Sequence, residues 1–363
     1  MITAVSAVSE LEFLRKLQRL LDEGDFSATY KYALLQALAD LCVEHELIAD
    51  RPLRIPLNAI AERFIEYYWV QALPYAPDLD GGGVLKQNTG KQAAVINWLV
   101  EERMSVDGSL AALRVQPKRW RGLVSNVAAK VKEMPLRWLQ VMGGKPEEFI
   151  YRQNHLVGGC IELLPGVQQC FRSFHGLITN LVRGGWLSQI RRITTNQALL
   201  GERGDIAEFL FGSERRSLNG YRAVLRDHQA ARCFYCSREV KNAGDADHFI
   251  PWSRYPVDLG HNFVFSHPAC NNSKRDFLAH PDFLAQWREN NLDHGHSLAE
   301  MFDEKGLMHD AERSRYIAWW AYEQGQKSSA HVWDGERGFQ SLDGSWRSAM
   351  SPLAMVAENP GVY

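Results

Sequence analysis

The chain has 363 residues, 45% of them hydrophobic and 23% charged, the balance of an ordinary globular protein rather than a disordered or fibrous one. Its 41 Lys and Arg against 43 Asp and Glu leave a formal charge of −2, so any nucleic-acid surface must be a local patch rather than a property of the whole chain. No apolar run is long enough for a transmembrane helix, the opening MITAVSAVSELEFLRK lacks the pattern of a secretory signal, and six cysteines are too few for a disulfide scaffold. The expected compartment is the cytoplasm, with no membrane partner.

In chain order, Leu11, Leu14, Leu17 and Leu21 recur at three- and four-residue spacing and predict a helix over 9–22 with Ser9 as N-cap. Ser27 is expected to cap a second helix with the stripe Tyr30, Leu34, Leu38 and Leu41. A third helix runs from about Leu57 through Trp69, its Tyr67, Tyr68 and Trp69 reading as core. The segment Pro74–Gly83, PYAPDLDGGG, is the best candidate for a linker or surface loop.

Helical periodicity returns over 91–102 and 119–132. The apolar segments 167–181 and 187–200 are ambiguous between helix and strand. Near Cys233 short β-branched and aromatic segments alternate with turn residues. After Pro281 the pattern is helical again, with Phe283, Leu284 and Trp287 on one face and an aromatic-rich helix over Ala311–Glu323. The last forty residues, rich in Gly, Ser and Trp, carry no assignable pattern. Cys42, Cys160 and Cys170 sit among apolar neighbours and read as small buried hydrophobes.

Two signals are discarded. Between Gly83 and Gly90-Lys91 lie six residues where a phosphate-binding loop has four, and Gln92 replaces the magnesium-binding hydroxyl. His294-Gly-His296 has no carboxylate or cysteine at chelating distance and reads as a solvated loop.

Residues 114–137 hold seven basic side chains (Arg114, Lys118, Arg119, Arg121, Lys130, Lys132 and Arg137) against the single acid Glu133, with Trp120 and Trp138 interleaved. Such a stretch suits phosphate neutralisation and base stacking, and equally a solvated basic face with tryptophans in the core. Lys118, Arg119 and Arg121 are the candidate nucleic-acid contacts here, and Arg183, Arg191 and Arg192 near Trp186 a weaker second group.

The informative run is CFYCSREVKNAGDADHFIPWSRYPVDLGHNFVFSHPACNNSKRDF. Cys233-x2-Cys236 and His267-x2-Cys270 are separated by 30 residues. Two such pairs can bring four soft ligands to one tetrahedral, closed, structural zinc. Between them lie an apolar strand holding Asp247 and His248, a second strand from Asn262 through Phe265, and a helix starting near Ala269 that carries Asn271, Lys274 and Arg275. Strand alternation puts Asp247 and His248 on opposite faces. His261 reads as an exposed loop residue.

This segment resembles the HNH endonuclease family, the ββα-metal nuclease domain, in its variant with Asn as third letter. The resemblance rests on Cys233/Cys236, Asp247-His248-Phe249-Ile250-Pro251, Asn262-Phe263-Val264, His267/Cys270, Asn271 and Lys274, over about 60 residues. His267 departs from the usual third zinc cysteine. The resemblance implies His248 as general base, one Mg²⁺ or Mn²⁺ held by Asp247 and Asn271, Asn262 fixing the loop or the imidazole, and Lys274 and Arg275 meeting phosphate.

The expected fold is mainly α with an embedded small α+β module, treble-clef-like around its zinc and flanked by helices. The expected regions are 1–78, 84–225 for target or partner recognition, 226–290 for the HNH domain and 291–363 as an extension. The expected function is metal-dependent DNA cleavage, with bacterial restriction or antiphage defence and its protein partners as the setting suggested by analogy. The alternatives are an RNA-cleaving nuclease and a zinc-stabilised nucleic-acid-binding subunit whose HNH site is silent.

Overall fold

Ser9 opens the first helix, Glu10–Glu23, by accepting the Glu12 N–H at 3.2 Å, which satisfies one of the free donors of the first turn. Its buried stripe is Phe13, Leu17 and Leu20. Leu11, expected inside, is exposed: the leucine spacing identified the helix, but the larger Phe13 ring turned the face, packing at 5.1 Å from Phe171 and 6.0 Å from Phe149.

The computed structural model describes residues 9–47, 52–75, 83–106, 108–200, 205–212 and 215–351. The described chain is mainly helical with small sheets, and it divides into two compact units, Met1–Gly212 and Ser213–Tyr363. The first takes in the regions expected at 1–78 and most of 84–225, the second the regions expected at 226–290 and 291–363. No helix among the described residues is long and apolar enough to cross a membrane.

In the first unit the helix Tyr30–Val43 is buried on every side, the mark of a central helix rather than the amphipathic one expected. Ser27 does not cap it. Thr29 precedes the first turn, and its hydroxyl lies 2.7 Å from Tyr68 Oη and donates to Gln87 Oε1 at 2.9 Å. Around this helix pack Leu57–Gln71, Val167–Ser173 and His175–Arg192, and Pro117–Glu133 lies against Leu57–Gln71. One hydrophobic cluster runs from Phe13 to Leu210. The ambiguous 167–181 and 187–200 are helices broken at Phe174 and Ile193. Pro74–Tyr75 pairs with Gly83–Val84, and the rest of the expected linker, 76–82, lies outside the described residues. Cys42 and Cys170 are buried as expected, but Cys160 is partly exposed.

In the second unit the helix Arg215–His228 leads into a turn over 232–239. The strands Asp245–His248 and Phe263–Ser266 then form an antiparallel hairpin, followed by the helix Pro268–Lys274. Phe249 stacks on the buried Trp287 at 4.9 Å, and Tyr221 on Phe263 at 4.7 Å. The C-terminal residues without a sequence pattern supply His331–Trp333 and Phe339–Ser341. The first of these pairs in parallel with Leu278–Ala279 and antiparallel with the second.

Candidate metal centre and histidine site

The Cys233-x2-Cys236 pair sits in a tight hairpin. Arg232 bridges Glu239, the Cys233 N–H donates to Arg238 O at 2.9 Å, and Ser237 takes the left-handed conformation at φ 58°. The second pair opens a helix: His267 is its N-cap, Pro268 its first residue, and Cys270 lies in its first turn. Proline is suited to that position because the missing N–H would have had no partner there.

These two frames bring Cys233, Cys236, His267 and Cys270 together, their ligand atoms all within 4.8 Å of one another. Tetrahedral zinc, with bonds of about 2.0–2.3 Å, sets its ligand atoms roughly 3.3–3.8 Å apart. Cys236 Sγ is already 3.3 Å from His267 Nδ1. His267 Nε2 lies 3.2 Å from Glu239 O; an N–H there donates to the carbonyl and leaves Nδ1 facing the sulfurs, the arrangement that orients metal-bound imidazoles. Three thiols and an imidazole thus form a donor set that fits a metal ion.

The charges agree. Burial resists ionisation of Cys236, but the Arg238 backbone and side chain, with hydrogen bonds from Cys233 and His267, outweigh it and bring the thiol down to about 6. Burial pushes Cys270 up to about 12, helped by the charge of Cys233 and Cys236. A cluster that resists three negative charges by itself is stabilised by a dication.

Asp247 and His248 follow the strand alternation and point to opposite faces. The Asp247 carboxylate is buried: Tyr235 Oη donates to Oδ2 at 2.5 Å, and Lys274 Nζ stands 3.2 Å from Oδ2 and 3.4 Å from Oδ1. Lys274 is wholly buried and also donates to the His248 carbonyl at 2.9 Å. Its expected role at a phosphate is corrected, since the ammonium is enclosed and committed to Asp247. Asn271 does not meet Asp247 either; its amide donates to Asp245 Oδ2 at 3.1 Å. Asn271 and Lys274 are one turn apart on their helix, and Asp245 and Asp247 two apart on their strand, so the faces match in register as two pairs. A divalent cation shared by Asp247 and Asn271 does not fit this arrangement.

His248 lies on the other face, against Phe263 at 4.2 Å and Trp252 at 5.3 Å between ring centroids. Its Nε2 is 2.8 Å from Asp258 Oδ1. Asn262 grips the chain just beyond, accepting the Ile250 N–H at 2.8 Å and donating to the Ile250 carbonyl at 3.0 Å. It therefore fixes the loop, not the imidazole. Arg275 is exposed at a left-handed position, φ 51°, where the helix ends.

Sequence reasoning missed Asp245, Asp258 and Tyr235. The i, i+2 pairing of Asp245 with Asp247 was a legible signal. Tyr235 lies between the two cysteines, where alternation says nothing, and Asp258 reaches His248 only through the path of the loop.

His261, expected in an exposed loop, is 3% exposed. Its ring lies 5.3 Å from that of His309, and its carbonyl accepts from Trp287 Nε1 at 2.9 Å and Asn291 Nδ2 at 3.1 Å. Burial, with repulsion from His309, brings it down to about 4. The unfolded chain, with its histidine near 6.5, then binds more protons between those values, so stability is full above about 6.5 and falls as pH drops towards about 4. Denaturant unfolding of wild type and His261→Phe at pH 7.5 and pH 5 should show a smaller acid loss for the variant. Equal losses would contradict this.

In the first unit, Lys118 and Arg121 are exposed, whereas Arg119 pairs with Glu102 at 2.5 Å. Trp120 packs beneath Arg114. Trp186 is buried and donates to Gln87 at 3.1 Å, so it stacks on no base beside Arg183, Arg191 and Arg192. Tyr68 and Trp69 are core, as expected.

A family described as a domain of unknown function (DUF8808) matches residues 10–210, more than half of the chain. The chain belongs to this family. The DUF8808 match covers nearly all of the described first unit and stops before Cys233. No curated protein matches the chain, and no solved structure does.

Proposed function

We propose that the segment following the DUF8808 region is an HNH-type nuclease module hydrolysing phosphodiester bonds in DNA, with structural zinc on Cys233, Cys236, His267 and Cys270 and with His248 as general base. The observation that carries the reading is the meeting of a four-donor cluster, a strand hairpin and a helix in the family's order, with His248 beside a carboxylate. An Nε2–H donated to Asp258 leaves Nδ1 to take a proton from water, and the carboxylate stabilises the imidazolium that results. The water oxygen bonds to phosphorus as the bond to the 3′ oxygen breaks, and that oxygen leaves with a proton from solvent.

A second reading is favoured by one observation: Lys274 neutralises Asp247 where the resemblance implies a cation. In that reading the module is a silent, zinc-stabilised nucleic-acid-binding element.

Supercoiled plasmid incubated with wild type, His248→Ala and Asp258→Asn in Mg²⁺ or Mn²⁺ separates the two. Loss of the general base is expected to lower cleavage by about 10²–10⁴-fold, and Asp258→Asn by less. RNA cut in preference to plasmid and single-stranded DNA would move the substrate to RNA. Wild type inactive on all three would favour the silent module.

A further inference from the structure

The DUF8808 unit contains a cavity of about 430 Å³ between the end of the helix Pro117–Glu133, the short helix Pro135–Trp138 and the turn over 151–156. That volume is within the range of small-ligand sites. Its apolar floor comes from the buried Leu136, Tyr151 and Ile161, and the Tyr151 hydroxyl is committed to Leu136 O at 2.8 Å.

Hydrogen bonds fix the walls. Gln140, itself buried, accepts the N–H groups of Phe149 and Ile150 at 2.9 and 2.7 Å and donates to Tyr151 O at 2.8 Å. Gln153 donates to the Arg137 carbonyl at 2.6 Å, joining the turn to the short helix. The cavity is thus built before any ligand arrives.

Its rim is basic. Lys132, Arg137, Arg152 and His155 line it, all exposed, and among the described residues no carboxylate pairs with any of these four. The one acid on the lining, Glu133, is bonded to Lys130 at 2.6 Å. Arg137 also lies over the Trp138 ring at 5.2 Å, and that ring is 45% exposed, where tryptophan usually finds cover.

We propose that this cavity binds a nucleoside phosphate, either free or as the end of an oligonucleotide, with the phosphate on Lys132, Arg137 and Arg152 and the base against the apolar floor and Trp138. Uncompensated cations call for an anion. An apolar floor, with the exposed Trp138 ring just outside the lining under the rim's Arg137, suits a planar ring on the same molecule, and inorganic phosphate or an acidic peptide leaves that part unused. This site goes beyond the nuclease reading and does not depend on it, since every residue is in the first unit.

The test is titration of the full-length protein, in magnesium-free buffer, with AMP, ATP, a 5′-phosphorylated single-stranded oligonucleotide, inorganic phosphate and poly-glutamate. AMP, ATP or the oligonucleotide should bind, and Arg137→Glu/Arg152→Glu should weaken that binding by about tenfold or more. Trp138→Ala should weaken nucleotides several-fold and leave inorganic phosphate unchanged, while Arg15→Glu/Lys91→Glu, at exposed positions outside the lining, leaves nucleotides unchanged. AMP or ATP binding as tightly as the oligonucleotide assigns the site to free nucleotide, and much tighter oligonucleotide binding to a strand end. No binding of any nucleotide up to about 1 mM, equal binding of phosphate or poly-glutamate, or an equal loss in the Arg15/Lys91 variant would overturn the proposal. The substituted side chains are exposed, and unchanged melting temperatures would show that the fold persists in each variant.

Discussion

Protein purified without added metal should carry about one zinc per chain, and Cys233→Ala/Cys236→Ala should lose the cooperative unfolding of the second unit. The reason is that a metal would add four strong bonds between two ligand frames that otherwise meet through single hydrogen bonds, such as Phe234 N–H to Phe265 O at 2.9 Å, and the packing of Phe234 and Tyr235. The 232–239 turn and the start of the Pro268–Lys274 helix are joined near the cluster by contacts such as the His267 N–H on Cys233 Sγ, at 3.4 Å. Structural zinc sites contribute roughly 10–16 kcal/mol in apparent binding at neutral pH, as much as the whole stability of a typical domain. Tyr235 would go with them, because the turn that carries Cys233 and Cys236 also delivers the hydroxyl bonded to Asp247. Elemental analysis and thermal unfolding with and without a strong chelator check this. Restoration of the transition by Zn²⁺ is the expected result, and a metal-free protein with an unchanged transition would refute it.

Lys274→Met should be the most damaging single substitution outside the cluster. It leaves the Asp247 carboxylate buried with only Tyr235 as partner, and removing one member of a buried ion pair costs about 3–5 kcal/mol. For a unit of this size that is a melting shift of roughly 10 °C. Asp247→Asn/Lys274→Met should recover much of the loss, since an amide can still accept from Tyr235 and no buried charge remains. The coupling of the two sites in a double-mutant cycle measures the pair. Near-zero coupling would mean that Asp247 and Lys274 do not rely on each other, and would reopen the expectation that Lys274 serves a phosphate.

The buried pair also bears on chemistry. A cation at Asp247 would have to displace an ammonium that is already 3.2 Å from the carboxylate and bonded to the His248 carbonyl. His248 needs no such displacement, because Asp258 and the Phe263 ring hold it on the far face of the strand.

Much of this was legible in the residues. Ser9 and the leucine spacing announced the first helix, and the two x2 pairs announced a shared donor cluster, because a short turn leaves both side chains little choice of direction. Alternation by itself places Asp247 and His248 on opposite faces. Other features were hidden. Nothing local says that Phe13 rather than Leu11 turns inward, that Tyr30–Val43 is enclosed on all sides, or that His261 is buried, since each depends on what packs against it.

By itself, the sequence determined the mainly helical character, the hairpin-and-helix order around Cys233–Lys274 and the four side chains that could hold a metal ion. These follow from periodicity, turn chemistry and ligand spacing, which act within a few residues. Only the tertiary structure decided which charge meets which: Lys274 with Asp247, Asn271 with Asp245, Asp258 with His248, and the basic rim over Tyr151 and Leu136. Those pairings join residues from separate elements, and their partners are set by the register between elements and the path of loops, quantities that no local pattern encodes.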